Sequence, residues 1–263
     1  MRTRTRRAVL AAAVLAAGAM VLAACTTATT TSSGTTTTTT TTTQPSASYV
    51  EQPGYPAIQN TGTTLGVTTV AAGDVMMMMA HTAPSRGSSH VTSVTDSAGR
   101  VAWQASKATG FTNHPSGDTL EIWYGVVKSA GATTIDVHWS GTTFDHFVWA
   151  AEWRSSLGPS VTWSAVAAGV ENAALCTGRT CDDPTLGSPK ATGLYWGWSY
   201  PASTGQAGTT AGVTYDVTTE PTHGNVLAWD PSVAAGTAVT PAFGQVTATS
   251  WYDAVAVVMV ATA

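Results

Sequence analysis

The chain beyond about residue 60 alternates between short apolar segments and clusters of glycine, proline, serine and aspartate. The segments are rich in valine, threonine, tryptophan and tyrosine, which favour strands, and the clusters are typical of turns. The pattern predicts strands at 63–70, 75–80, 90–95, 100–104, 120–128, 133–139, 147–153, 161–167, 193–200, 212–218, 225–229 and 246–261. No segment shows a persuasive amphipathic helical repeat. We therefore expect an all-β, antiparallel β-sandwich of about ten strands.

Two of these segments have apolar residues at consecutive positions, without the alternation of a half-buried strand. Met76 to Met79 form one run, and residues 254–260 form another that contains no polar residue. Successive side chains of a strand point to opposite faces, so both runs predict strands that are covered on both faces. A methionine-rich copper site is the alternative for the first run, but the alternation would divide its thioethers between two faces.

Two clusters of small residues predict tight hairpin turns. They are residues 96–99, Asp-Ser-Ala-Gly, and residues 129–132, Ser-Ala-Gly-Ala. Aspartate and glycine tolerate the backbone angles that such turns require. Each cluster is therefore expected to join two paired strands.

The N-terminus has the layout of a secretory signal. Four arginines within the first seven residues precede an apolar run over 8–24 that consists mostly of alanine, valine and leucine. Such a run is shorter than a comfortable membrane span. Residues 22–25, Leu-Ala-Ala-Cys, resemble the bacterial lipobox, which implies cleavage before Cys25 and a diacylglycerol on its thiol. We expect a lipoprotein signal over 1–24 and a lipid-anchored chain at the cell membrane, facing outside the cytoplasm. The alternatives are an unlipidated secreted protein and, for the route, twin-arginine export.

The signal is followed by a low-complexity segment. Residues 25–48 contain an unbroken threonine run from Thr35 to Thr43 and almost no apolar residues, so they cannot form a core. We expect a disordered tether that lifts the following domain from the membrane and whose threonines are candidates for O-glycosylation. Residues 49–263 are long enough for one β-sandwich domain with a substantial core.

The charge distribution argues against a nucleic-acid partner. Four of the 11 lysines and arginines lie in the signal, whereas all 15 aspartates and glutamates follow Cys25, which leaves a net charge near −8. Nucleic-acid binding requires a basic surface. With 10% charged residues in the whole chain, the surface must consist largely of hydroxyls and small side chains.

Two cysteines remain beyond the lipobox. Cys176 and Cys181 enclose four residues, and in an oxidising compartment this spacing favours a disulfide that closes a small loop. Zinc binding is the alternative, but zinc usually takes four ligands and no second cysteine or histidine pair lies nearby.

Candidate catalytic groups form one local cluster on two neighbouring predicted strands: His138, Asp145, His146 and Glu152. Such residues can bind a metal or act as acid and base, but two of them lie beside a predicted turn, where polar residues are expected anyway. For glycoside hydrolysis the candidate carboxylates are Glu121, Glu152 and Glu171, and the sequence does not pair them. We expect no enzyme activity, no cofactor and no metal. A carbohydrate-active hydrolase is the less favoured alternative.

Aromatic residues supply the candidate for binding. The chain has ten tryptophans, and the predicted strand 193–200 places Leu194, Trp196, Trp198 and Tyr200 on one face. An exposed row of this kind would stack on sugar rings. The same alternation also fits the core of a sandwich, and exposure of Trp196, Trp198 and Tyr200 would distinguish the two hypotheses.

Four segments of the chain carry a family resemblance. They are residues 91–103 (Val-Thr-Ser-Val-Thr-Asp-Ser-Ala-Gly-Arg-Val-Ala-Trp), 121–124 (Glu-Ile-Trp-Tyr), 133–137 (Thr-Thr-Ile-Asp-Val) and 152–155 (Glu-Trp-Arg-Ser). Together they resemble a bacterial extracellular jelly-roll-like module. The resemblance implies a β-sandwich of surface proteins, often beside adhesion or carbohydrate-related domains, without established catalytic residues. The chain departs from the pattern at Arg100, where asparagine is usual, and in the cysteine-containing insertion over 175–189.

These observations lead to one functional expectation. The chain is expected to be a membrane-anchored surface lipoprotein that displays a non-catalytic β-sandwich, and this sandwich binds a glycan, an envelope polymer or a surface protein. The alternative is a structural or interaction lipoprotein without a small ligand.

Overall fold

The strands account for most of the chain in a computed structural model, which describes residues 47–52, 63–84, 89–111, 119–141, 143–188, 190–217, 224–248 and 250–263. The predicted signal, Cys25 and most of the predicted tether lie outside these residues, as do His114 and His223. Within them the chain forms strands and turns and no helix, so none of the described residues makes a helix that could cross a membrane.

The strands are numbered in chain order. The first nine are β1 (Tyr49–Glu51), β2 (Thr64–Thr69), β3 (Val75–Pro84), β4 (Val91–Asp96), β5 (Val101–Phe111), β6 (Thr119–Val127), β7 (Gly131–Trp139), β8 (Thr143–Ser155) and β9 (Thr162–Leu175). The others are β10 (Thr180–Asp182), β11 (Leu186–Gly187), β12 (Gly193–Pro201), β13 (Gly205–Gln206), β14 (Thr214–Val217), β15 (Val226–Val233), β16 (Ala238–Val239), β17 (Ala242–Gln245) and β18 (Trp251–Thr262).

Two five-stranded sheets form the sandwich. Sheet 1 has the order β1-β8-β3-β6-β5, and sheet 2 has the order β14-β15-β12-β18-β9. Their facing side chains make the largest core, to which Met77 and Trp153 contribute from sheet 1 and Trp196 and Val257 from sheet 2. All strand pairings in the five sheets are antiparallel, which confirms the predicted fold class.

Each large sheet is also covered on its outer face. Sheet 3, with the order β2-β7-β4, packs its buried residues against the second face of sheet 1, where Met76 and Met78 meet Leu65 and Ile135. Two small sheets, β10-β17-β13 and β11-β16, cover the second face of sheet 2, and we call them the cap layer. The structure is therefore a sandwich with an additional layer on each side.

The additional layers explain the two continuous apolar runs. On β3, Met77 and Met79 face sheet 2 while Met76 and Met78 face sheet 3, and all four are fully buried. On β18, Val255, Val257 and Met259 point to the central core, and their neighbours point to the cap layer. Burial of both strands on both faces confirms these predictions.

The two predicted turns are present, but they are not hairpin turns. Residues 96–99 connect β4 of sheet 3 to β5 of sheet 1, and residues 129–132 connect β6 of sheet 1 to β7 of sheet 3. The first turn is held by the Asp96 carboxylate, which accepts hydrogen bonds from the amides of Arg100 (2.7 Å) and Val101 (3.1 Å) and from the Thr133 hydroxyl (2.7 Å). The hairpin predictions were wrong because turn residues set the reversal of the chain and not the sheet that it enters.

Candidate functional site

The aromatic row of β12 lies in the core. Trp196 and Trp198 have 1% and 2% of their surface exposed, and Tyr200 has 9%. The Trp198 indole N–H donates to the Asn225 side-chain oxygen at 2.8 Å, and the Tyr200 ring lies 4.5 Å from the His81 ring. Trp196, Trp198 and Tyr200 therefore do not form the exposed platform that sugar stacking requires. These rings fill the space between sheets 1 and 2.

The predicted catalytic cluster is not brought together. His138 lies on the outer face of sheet 3 with its side chain 48% exposed, and its Nε2 is 4.0 Å from Asp136 Oδ2. Glu152 lies on β8 and is fully buried, whereas His146 on the same strand is half-buried against the Trp139 ring. The side chain of Asp145 lies outside the described part of the chain. Among the described residues no three histidine, cysteine, aspartate or glutamate side chains are grouped to hold a metal.

Two candidate carboxylates connect sheet 1 to sheet 3. Glu152 accepts hydrogen bonds from the amides of Val70 (2.9 and 3.0 Å) and Ala71 (3.1 Å), which follow β2. Glu121 on β6 accepts from the amide of Val91 at 2.7 Å, where β4 begins. Burial raises the pKa of Glu121, and the bonds from Val91 and the Trp123 indole oppose that increase. Because their oxygens receive backbone donors, these two glutamates serve to join layers.

The two cysteines of the insertion form a disulfide. The Sγ atoms of Cys176 and Cys181 are 1.98 Å apart, which confirms the predicted bond. Both residues are buried together with Phe243 and Tyr252, where the cap layer meets sheet 2. The disulfide thus lies at the edge of the cap layer and not in an isolated surface loop.

The cap layer is attached to sheet 2 by the three residues that follow this disulfide. The Tyr252 hydroxyl donates to the carbonyl of Asp182 at 2.7 Å, and the Tyr195 hydroxyl donates to the carbonyl of Pro184 at 3.0 Å. Between them the Ser199 hydroxyl donates to Oδ1 of Asp183. We call these three contacts the cap junction.

Asp183 differs from the other buried carboxylates described above. It is 1% exposed, and no hydrogen-bond donor of the described residues reaches its Oδ2. Burial raises the pKa of Asp183 to about 7, the Ser199 bond lowers it in part, and the negative charge of Asp182 raises it further. This side chain therefore changes its charge near neutral pH, in a place that water does not reach.

Comparisons with protein-family models, with curated proteins and with solved structures give no match to this chain. Sequence reasoning singled out the insertion over 175–189 but not Asp183, Tyr195 or Ser199. The available signal was the Asp-Asp-Pro sequence directly after Cys181, which places two adjacent acids beside a disulfide.

Proposed function

We propose that the chain is an exported bacterial lipoprotein that is anchored by Cys25 and displays its β-sandwich outside the cytoplasm as a non-catalytic interaction module. The observation that carries the proposal is the disulfide between Cys176 and Cys181. Disulfides persist in oxidising compartments, so the bond supports export independently of the lipobox-like sequence at 22–25.

The positions of the acidic residues favour an interaction module over a hydrolase. Glu121 and Glu152 are buried and hold the layers together, so neither is available to a substrate. With the aromatic row in the core, an exposed ring platform for a glycan loses its main support. The proposed module therefore meets its partner through polar side chains.

The outer face of sheet 3 is the surface that best fits such a contact. Its exposed side chains include five threonines on three adjacent strands: Thr64, Thr68, Thr92, Thr95 and Thr134. A sheet face that carries several hydroxyl groups can exchange hydrogen bonds with an envelope polymer or with the backbone of a surface protein. We propose this face as the contact surface, with the predicted threonine-rich tether providing reach.

Metabolic labelling tests the anchor. Cells that express the full chain are grown with an alkyne fatty acid, and the purified protein is coupled to a fluorescent azide. We expect labelling of the unchanged chain, loss of the label in Cys25→Ala, and full retention in the matched Cys176→Ser/Cys181→Ser variant. Label that persists in Cys25→Ala would contradict the anchor.

A further inference from the structure

The cap junction contains only one contact, among its three, that can respond to pH near neutrality. Its two tyrosine hydroxyls donate to backbone carbonyls, and burial raises the pKa of Tyr252 to about 12 and that of Tyr195 well above its ordinary value of 10. Both phenols therefore remain protonated at any physiological pH. The third contact, from Ser199 to Asp183, includes a carboxyl group.

The surroundings of Asp183 do not compensate a negative charge. The titratable groups that interact with this junction are Glu171 on β9, Asp182 on β10, Tyr195 on β12, Tyr215 on β14 and Tyr252 on β18. All of them are acidic or neutral. An ionised Asp183 therefore has one hydroxyl donor and no cation from this set, which is an unfavourable state for a buried carboxylate.

The Asp183 carboxyl group packs closely against β12. A Cβ atom added to Gly197 of β12 would be 3.2 Å from Asp183 Oδ2 and 3.2 Å from the Tyr195 hydroxyl. The amide of Asp183 is also bound, since it donates to the carbonyl of Pro241 at 2.8 Å. Because Asp183 is 1% exposed, solvation of its ionised carboxylate requires the chain around residue 183 to move away from sheet 2.

We propose that Asp183 is a proton-controlled latch, which holds the disulfide-bearing edge of the cap layer on sheet 2 when protonated and releases it when ionised. The moving part is the segment 176–187, which contains the disulfide, β10 and β11. The sandwich of sheets 1 and 2 stays intact, because β18 beneath the cap layer is held by β12 and β9 on its two sides. The latch does not depend on the proposed lipid anchor.

The pKa of Asp183 sets the pH range over which the latch opens. Burial raises the pKa of Asp183 to about 7, so the latch is closed in mildly acidic surroundings and open in mildly alkaline ones. When the latch opens, the outer face of sheet 2 becomes exposed to solvent at Tyr195, Ser199 and Val258, which are buried in the closed state.

Hydrogen exchange followed by mass spectrometry tests the latch on the full chain at pH 5.5 and pH 8.5, with rates corrected for the intrinsic pH dependence of exchange. In the unchanged protein we expect amide protection over 176–187 to fall at least tenfold at pH 8.5. Asp183→Asn, which keeps the shape but cannot ionise, is expected to lose this fall. The matched variant Asp182→Asn is expected to retain it. Equal protection at both pH values in the unchanged protein, or an unchanged fall in Asp183→Asn, would overturn the proposal.

Two internal measurements separate the latch from general unfolding. Amides over 254–260 in β18 are expected to keep the same protection at both pH values, since the sandwich stays closed. In Ser199→Ala the carboxylate loses its hydroxyl donor, so the midpoint of the fall should move to higher pH. A fall that includes β18 equally, or a midpoint in Ser199→Ala that does not move upward, would refute a local latch at Asp183.

Discussion

Replacement of Trp198 by alanine distinguishes a core aromatic row from a binding platform. The indole is 2% exposed and lies between sheets 1 and 2 in the central core. Its removal deletes the transfer free energy of a large ring and leaves a cavity, which typically costs about 3–5 kcal/mol. The lost hydrogen bond from the indole N–H to Asn225 adds about 1 kcal/mol. We therefore expect the free energy of unfolding to fall by about 4 kcal/mol or more.

The assay is urea unfolding of the full chain, followed by far-ultraviolet circular dichroism and analysed by linear extrapolation. Leu175→Ala serves as the control, because Leu175 is 68% exposed on β9 and its truncation should change stability by less than about 0.5 kcal/mol. A loss below about 1 kcal/mol for Trp198→Ala, with reduced binding to polysaccharide, would refute the assignment of this ring to the core.

Three further predictions concern the joined layers and the cap. Glu152→Ala removes the acceptor of the Val70 and Ala71 amides, so the free energy of unfolding, measured with urea, should fall by about 3 kcal/mol. Glu51→Ala on the edge strand β1 is the control, and it should lower the free energy of unfolding by less than about 1 kcal/mol. Opening the disulfide with Cys176→Ser/Cys181→Ser should lower the free energy of unfolding by about 2 kcal/mol, as expected for a short closed loop, and an unchanged melting temperature would contradict this. Folded Asp183 keeps its proton to about pH 7, whereas the unfolded chain releases it near 3.8, so stability should decrease as the pH rises between these values. The resulting decrease in the free energy of unfolding is at most about 4 kcal/mol. It is measured by urea unfolding at pH 4 and at pH 7.5, and Asp183→Asn should abolish it.

The strands that could be predicted with their environment are those that are buried on both faces along most of their length. The methionine run of β3 and the apolar run of β18 can be interpreted without knowledge of neighbours, because a strand without polar positions must be covered on both faces. The partners were not predictable in the same way. Residues 96–99 have the chemistry of a turn, but only tertiary packing places β4 and β5 in different sheets.

Alternation could not separate the two hypotheses for the aromatic row. A core face and an exposed platform both place large residues at every second position, so Trp196 and Trp198 look the same in either case. What decides their environment is sheet 1 on the other side of the core, whose residues are distant in sequence.

The cap layer was missed for a different reason. Strands β10, β11, β13, β16 and β17 contain two to four residues each, which is too short for a period to be recognised. The environment of Asp183 depends on all these strands lying over sheet 2 together. A buried acid in a polar segment therefore cannot be inferred from its own neighbours in sequence.

The proposal of an exported, lipid-anchored display protein depends most on the mature N-terminus. Mass spectrometry of the protein from its membrane fraction measures that terminus directly, together with any mass added to the first residue. The account predicts a chain that begins at Cys25 and carries diacylglycerol on its thiol. A chain that retains residues 1–24, or one with an unmodified Cys25, would contradict it.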